Sequence, residues 1–348
     1  MLGKVVSQAL NDLEQVRLLL IGFQSLREKT PIPHEGIDVP ALNGVSVGSL
    51  KLFEYCTAII RIYTVFERLI YSLAEAWIIW VLKHNAPTIL ASPRCRIAYE
   101  IGLAEIFRRQ TETRFVDMDR FELAQSHALF DPTIKTQGSN SLTISPFVAT
   151  FPNLRMEQVN TLFTSIELGS PNQWLDKSVS LLRLRDEYSL SYSEALKDVV
   201  QRRNEVAHGN PDPGQTLGTN ELLARIDVVS NLVISLHQYL LSAASKLELG
   251  EDFEKGLVGK ITHYWPSSGA AELTLTSSAI GVGEDLLIID GSACFLSTIE
   301  SIQLEGQNTM GFSGQPGTKL GVKMNHLPKT GALLLRTAPI RDLPSLMI

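Results

Sequence analysis

Along the first two thirds of the chain, apolar positions recur at steps of three and four. Along the last third they come in short runs and alternations. Residues 219–248 set Leu222, Ile226, Val229, Val233, Leu236 and Leu240 at helical steps, with Thr219 as the expected N-cap. The stretch "RCRIAYEIGLAEIFRR", 94–109, predicts an amphipathic helix. Residues 56–82, "CTAIIRIYTVFERLIYSLAEAWIIWVL", are apolar on most faces and long enough to span a bilayer. Arg61, Glu67, Arg68 and Glu75 lie inside that stretch, and each is costly in lipid. It therefore reads as a central helix of a protein core, and no membrane association is expected. From about 110 to 190 the pattern weakens. Short helices, as around "MEQVNTLFTSI", alternate with polar loops such as "KTQGSNSLTISP".

After about residue 250 the period changes. Over half of the 24 glycines fall there. Six short runs, "VGKITHYW", "AAELTLT", "DLLIID", "STIESIQLE", "KLGVKMN" and "ALLLRT", are separated by turn signals such as "GVGED", "DGS", "SGQPGT" and "LPKTG". Six strands in so short a stretch predict a small closed or nearly closed β-barrel. The expected fold class is α + β multidomain: an all-α helical bundle over 1–247, a linker over 248–256 and a barrel over 257–340. No internal repeat or low-complexity tract is present.

Composition narrows the chemistry. The 348 residues are 44% hydrophobic and 20% charged, with a formal net charge of −6, so a broad basic surface is not expected. Nucleic acid would need a local basic patch. Cys56, Cys95 and Cys294 lie far apart and form no C-x-x-C pair, which argues against a zinc site or disulfide framework and fits a reducing cytosol. The N-terminal "MLGKVVSQALNDLEQVRLLLIGF" carries Asp12, Glu14 and Arg17 and does not read as a signal peptide, so a cytoplasmic location is expected. Walker A, G-x-S-x-G and H-E-x-x-H motifs are absent, and "GVGEDLLIIDG" does not open a helix. Neither a cofactor nor a metal is expected.

The densest chemistry lies in "QRRNEVAHGN", 201–210. Its helix should start at about Tyr192, because Ser191 and Glu194 form a capping box, and stop at Gly209 and Pro211. Leu196, Val199, Val200, Arg203 and Ala207 make the core-facing stripe. Arg203 then lies on or beside a buried face, where a guanidinium needs a partner or an anion. Asn204 and His208, four apart, share the adjoining face. A fixed cation, an amide and an imidazole suit holding a phosphate and moving a proton beside it. The same residue types also cap carbonyls at helix C-termini, and spacing alone does not separate the two readings. Arg202 reads as a solvated surface arginine, with added phosphate affinity as its other reading. "RFELAQSH", Arg120 to His127, is a looser Arg-and-His match with six residues between instead of four; it lacks the asparagine and glycine, and reads as structural.

The full pattern "LKDVVQRRNEVAHG" resembles the signature of HEPN domains, an all-α superfamily of nucleases and nucleotide binders. Their motif is R-x(4–6)-H, here Arg203 to His208. The R-N-x-x-A-H-G form resembles a bacterial branch found in toxin and phage-defence loci. "YTVFERLIYSLAEAW" is similar to an earlier family helix that often aims a glutamate at the site, which makes Glu67 a candidate. Its other reading is a core-helix carboxylate paired with Arg61 or Arg68. The resemblance spans about 45–245. It implies a metal-independent ribonuclease in which His208 is general base or acid, Arg203 holds the phosphate and Asn204 orients His208 or a phosphate oxygen. It also implies a homodimer through the helical domain, two motifs lining one cleft.

"VGKITHYWPSSGAAELTLTSSAIGVGEDLLIIDG" resembles the opening of the barrel of domain II of elongation factor Tu. Glu284 makes its turn one residue longer than that pattern. The likeness implies a docking role on RNA or the translation machinery; the other reading is a barrel that packs on its own helices or binds a protein. His263, Tyr264 and Trp265 are its only dense aromatic cluster, part of it expected in the barrel core. The expected function is an endoribonuclease, a toxin or antiphage effector acting on tRNA, mRNA or rRNA, with an antitoxin or the translation machinery as further partners. The alternatives are a non-catalytic RNA- or nucleotide-binding module and a protein adaptor.

Overall fold

Ten helices precede the strands in the computed structural model, which describes residues 2–29, 47–109, 120–131, 142–209, 211–249, 256–277, 279–291, 293–325 and 329–336. Most of the expected 248–256 linker, part of the "KTQGSNSLTISP" loop and residues 337–340 lie outside the described residues. Three long helices form the frame: α1 (Leu2–Lys29), α2 (Val47–Leu90) and, last of the ten, α10 (Thr219–Leu249). The apolar 56–82 stretch is the middle of α2, and Ile59, Ile62, Phe66, Leu69, Ile70, Leu73 and Trp77 are buried against its neighbours. Near its end α2 is kinked: Asn85 leaves helical geometry (φ −151°, ψ 62°) two residues before Pro87. Proline has no N–H to bond a turn back and its ring crowds that carbonyl.

α3 (Pro93–Arg108) begins at Ser92, whose hydroxyl accepts the Cys95 N–H at 3.1 Å. The weakly patterned middle holds α4 (Arg120–Ala128), α5 (Ser145–Val148), α6 (Met156–Ser165), α7 (Asn172–Leu175) and α8 (Val179–Tyr188). Gly102 lets α3 touch α5: a Cβ there would sit 1.7 Å from the Pro146 carbonyl oxygen, so a side chain would push the two helices apart. α9 (Tyr192–Ala207) packs across α2 and α10. In α10, all six stripe residues from Leu222 to Leu240 are buried. Its first turn begins one residue before the expected cap, since Gly218 accepts the Leu222 N–H and its own N–H reaches Glu221.

The strands are β1 (Leu257–Trp265), β2 (Ala270–Leu275), β3 (Ala279–Gly281), β4 (Asp285–Asp290), β5 (Ala293–Leu304), β6 (Gln307–Thr309), β7 (Gly311–Ser313), β8 (Lys319–Met324) and β9 (Leu333–Arg336). Six of them, in the order β4–β9–β1–β2–β8–β5, close into an antiparallel barrel through the β4–β5 pairing. These are the six runs expected from the sequence. β6 extends β5, and β3 pairs with β7. Leu286, Ile288, Leu334, Val258 and Ile261 fill the barrel interior. Leu287, Ile289, Cys294, Leu335 and Leu257 face outward and join the helical core instead, where β5 meets α10. The unbroken "LLII" of β4 and "LLL" of β9 therefore reflect strands buried on both faces.

Candidate active site

The last turn of α9 carries the cluster. Ser191 and Glu194 form the expected box, with Glu194 N–H to Ser191 Oγ at 3.2 Å and Ser191 N–H to Glu194 Oε2 at 3.0 Å, so the helix starts at Tyr192. At the other end His208 closes the helix, its N–H bonded to the Asn204 carbonyl at 3.0 Å. Gly209 follows with φ +73°, a left-handed turn that a side chain would strain. Leu196, Val199 and Val200 are buried, and the next step along that face is Arg203, half-buried. Ala207, expected on the same stripe, is exposed, because the last turn of the helix projects beyond the core.

Arg203 is held by neutral groups. Its guanidinium carbon lies 4.6 Å from the centre of the Tyr63 ring on α2. Its Nη1 donates to Asn153 Oδ1 at 3.3 Å and to Asn204 Oδ1 at 3.1 Å. Among the described residues no carboxylate forms an ion pair with it. Tyr63 is buried; its hydroxyl donates to Glu67 Oε1 at 3.0 Å and accepts the Leu154 N–H at 3.1 Å. Burial, then the Glu67 carboxylate, push the Tyr63 phenol up to about 12, against the Leu154 N–H and the Arg203 charge. Tyr71 also donates to Glu67 Oε1, at 3.4 Å. Glu67 thus reaches Arg203 through a tyrosine ring, and the pairing expected with Arg61 or Arg68 is replaced: Arg68 bonds Asp12 of α1.

Residues 38–242, more than half of the chain, match the model of the RiboL-PSP-HEPN family. The chain belongs to the HEPN family. Its members are typically ribonucleases or RNA-binding domains. A comparison with curated proteins returns no match. The HEPN match ends before the barrel, so the likeness to domain II of elongation factor Tu gains no support beyond its strand pattern.

Within the HEPN region the structure brings Arg203, Asn204 and Glu67 into one network through Tyr63 and Asn153. His208 stands at its rim, exposed, and among the described residues its ring has no hydrogen-bond partner. Arg202 corrects the expectation of a solvated side chain. It is 19% exposed and bonds Asp198 Oδ1 at 2.8 Å, Tyr55 Oη at 3.3 Å and the Gln215 carbonyl at 2.7 Å. The helix turns it toward the loop leading into α10, where Arg225 shares the same aspartate at 3.0 Å. The other Arg-and-His spacing is structural at its histidine end: His127 Nε2 lies 3.1 Å from Glu100 Oε1, and its ring packs near Tyr99 and Phe130.

Two residues escaped the sequence reading. Tyr63 stands four before Glu67 in one helix, a spacing that brings side chains together and is the signal by which the sequence offers it. Asn153 reaches Arg203 only through the fold, and nothing in its neighbourhood "FPN" announces it. Among the described residues, no group of three or more His, Cys, Asp or Glu side chains is placed to hold a metal ion, and no helix is long and apolar enough to cross a membrane.

Proposed function

We propose that this HEPN protein is an endoribonuclease that cuts RNA by attack of a ribose 2′-hydroxyl on the adjacent phosphate, without a metal. The observation that carries the reading is Arg203: a half-buried guanidinium with, among the described residues, only amide oxygens and a ring face around it, beside Asn204 and one turn from His208. Its charge is left for an anion, and a bridging phosphate fits the planar fork. As the 2′-oxygen bonds phosphorus, the bond to the 5′-oxygen breaks. The 2′ proton passes to a base and the leaving oxygen takes one from an acid. The products are a 2′,3′-cyclic phosphate and a 5′-hydroxyl. His208 is the proton carrier, Arg203 stabilises the charge growing on the phosphoryl oxygens, and Asn204 fixes the orientation of Arg203. Tyr63 and Glu67 hold the guanidinium from below.

One His208 supplies either the base or the acid, so two copies of the chain complete the reaction in a homodimer. Phe53 and Ile60, two turns apart on α2 and 63% and 41% exposed, offer apolar surface for such a pairing. The R-N-x-x-A-H-G form supports a cytoplasmic role as a toxin or antiphage effector, with tRNA or another translation-associated RNA as the target and an antitoxin as partner. The exposed ring of His208 favours the second reading, an RNA-binding module that does not cut. Incubating wild type and His208→Ala with total bacterial RNA in excess EDTA separates them. Cleavage by the wild type alone, leaving 2′,3′-cyclic ends, supports the nuclease. Unchanged cleavage by the variant overturns the assignment of His208, and binding without cleavage by either dimer supports the module.

A further inference from the structure

The barrel turns two different faces outward. The β4–β5–β9 side is apolar and covered by the helices. The β1–β2–β8 side carries His263 and Trp265, both exposed, Trp265 to 41%, with ring centres 4.7 Å apart. A β-bulge between Ile261 and His263 shifts the register, so Tyr264 turns inward to the barrel core while its two neighbours stay outside. The backbone at Trp265 is held by the following turn: its carbonyl accepts the N–H groups of Gly269 at 3.1 Å and Ser268 at 3.3 Å. Across the strands, Trp265 faces Ala270 and then Lys323, and His263 faces Glu272 and then Gly321. Ala270 keeps the strand beside Trp265 low, while the Gln303 side chain lies over Gly321.

Charge on this face also departs from the rest of the barrel. Between residues 257 and 336 the sequence has five lysines or arginines against six aspartates or glutamates. Lys260, Lys319 and Lys323 stand on the aromatic face; Lys319 pairs with Glu272 at 2.9 Å and Lys323 with Glu300 at 4.0 Å, while among the described residues no carboxylate pairs with Lys260. Glu284, Asp285 and Asp290 bond elsewhere, to Arg336, Thr298 and the Lys329 N–H. We infer that this face binds single-stranded RNA, stacking unpaired bases on Trp265 and His263 while Lys260, and Lys319 and Lys323 on leaving their carboxylates, follow the phosphates. The inference deepens the RNA reading of the helical site but is tested without cleavage. A base pair in a duplex hides both faces of its bases, so the surface selects single strands.

The test uses the full chain carrying His208→Ala, which prevents cutting, and a fluorescein-labelled 12-nucleotide single-stranded oligoribonucleotide followed by anisotropy. Adding Trp265→Ala weakens binding about tenfold, and Trp265→Phe restores it to within about twofold, because one stacked base is at stake. Trp77 and Trp80 are buried and Trp174 is half-buried, so the exposed Trp265 dominates quenching when unlabelled RNA is added to the parent. An affinity that Trp265→Ala leaves within twofold, a duplex of the same sequence bound as tightly, or no binding by the parent overturns the inference. The nuclease reading is judged separately, on cleavage by the wild type, so either can fail alone.

Discussion

Arg202 and Arg203 are neighbours in one helical turn and opposites in their surroundings. On the Arg202 side, Asp198 takes that arginine and Arg225 together, with Tyr55 and the Gln215 carbonyl completing the network. On the Arg203 side the partners are two amide oxygens and a tyrosine ring. A cation matched by a carboxylate ties elements together, here α9 to α2 and α10. A cation held only by neutral groups is positioned without being neutralised, and that is the state in which it attracts a phosphate.

The contrast breaks most sharply at Arg203. Arg203→Ala lowers cleavage by about 10²–10³-fold, the usual loss on removing one transition-state donor, in single-turnover assays on a defined RNA. Arg203→Lys restores only part of it, since an ammonium lacks the fork and the flat face that meets Tyr63. Arg202→Ala moves the other observable. It costs about 1–3 kcal/mol in urea denaturation, because Asp198 loses one of its two cations, while cleavage by the folded protein stays within a few-fold. Equal losses of cleavage from both alanine variants would erase the distinction. Tyr63→Phe keeps the ring under Arg203 and removes one bond to Glu67 and one from Leu154, with about 1 kcal/mol lost and cleavage reduced less than tenfold.

The smallest effect is one of pH. The Tyr63, Tyr188 and Tyr239 phenols are all raised to about 12 from an ordinary value of 10. Between those values the folded chain binds more protons than the unfolded one, so their contribution is complete below pH 10 and is lost as the pH climbs to about 12. Alkaline melting followed by circular dichroism should show a progressive fall across that window, less steep in Tyr63→Phe.

Local signals in the sequence carried far. The Ser191–Glu194 box and Gly209 delimit α9, the stripe from Leu222 to Leu240 is buried as spaced, and six runs become the six barrel strands. What stayed hidden depends on elements distant in sequence. Asn153 meets Arg203 across 50 residues. Glu67 reads from the sequence as a site carboxylate or as a partner of Arg61 or Arg68, and it bonds instead the tyrosines one helical turn before and after it. Arg202 was misread although Asp198, four residues earlier, was in view; its Tyr55 and Gln215 contacts exist only after α2 and the loop before α10 come together. The doubly apolar strands announced two buried faces but could not say what covers the second.

The cover on that second face makes the barrel an internal subunit. Leu287, Ile289, Cys294 and Leu335 form a seam with the helices that a chain cut after Leu249 would not by itself undo. A protease nicking there should leave two fragments that travel together through gel filtration. A barrel expressed without its helices should carry a greasy stripe and self-associate, so the two halves are best handled as one particle even though their folds are unrelated.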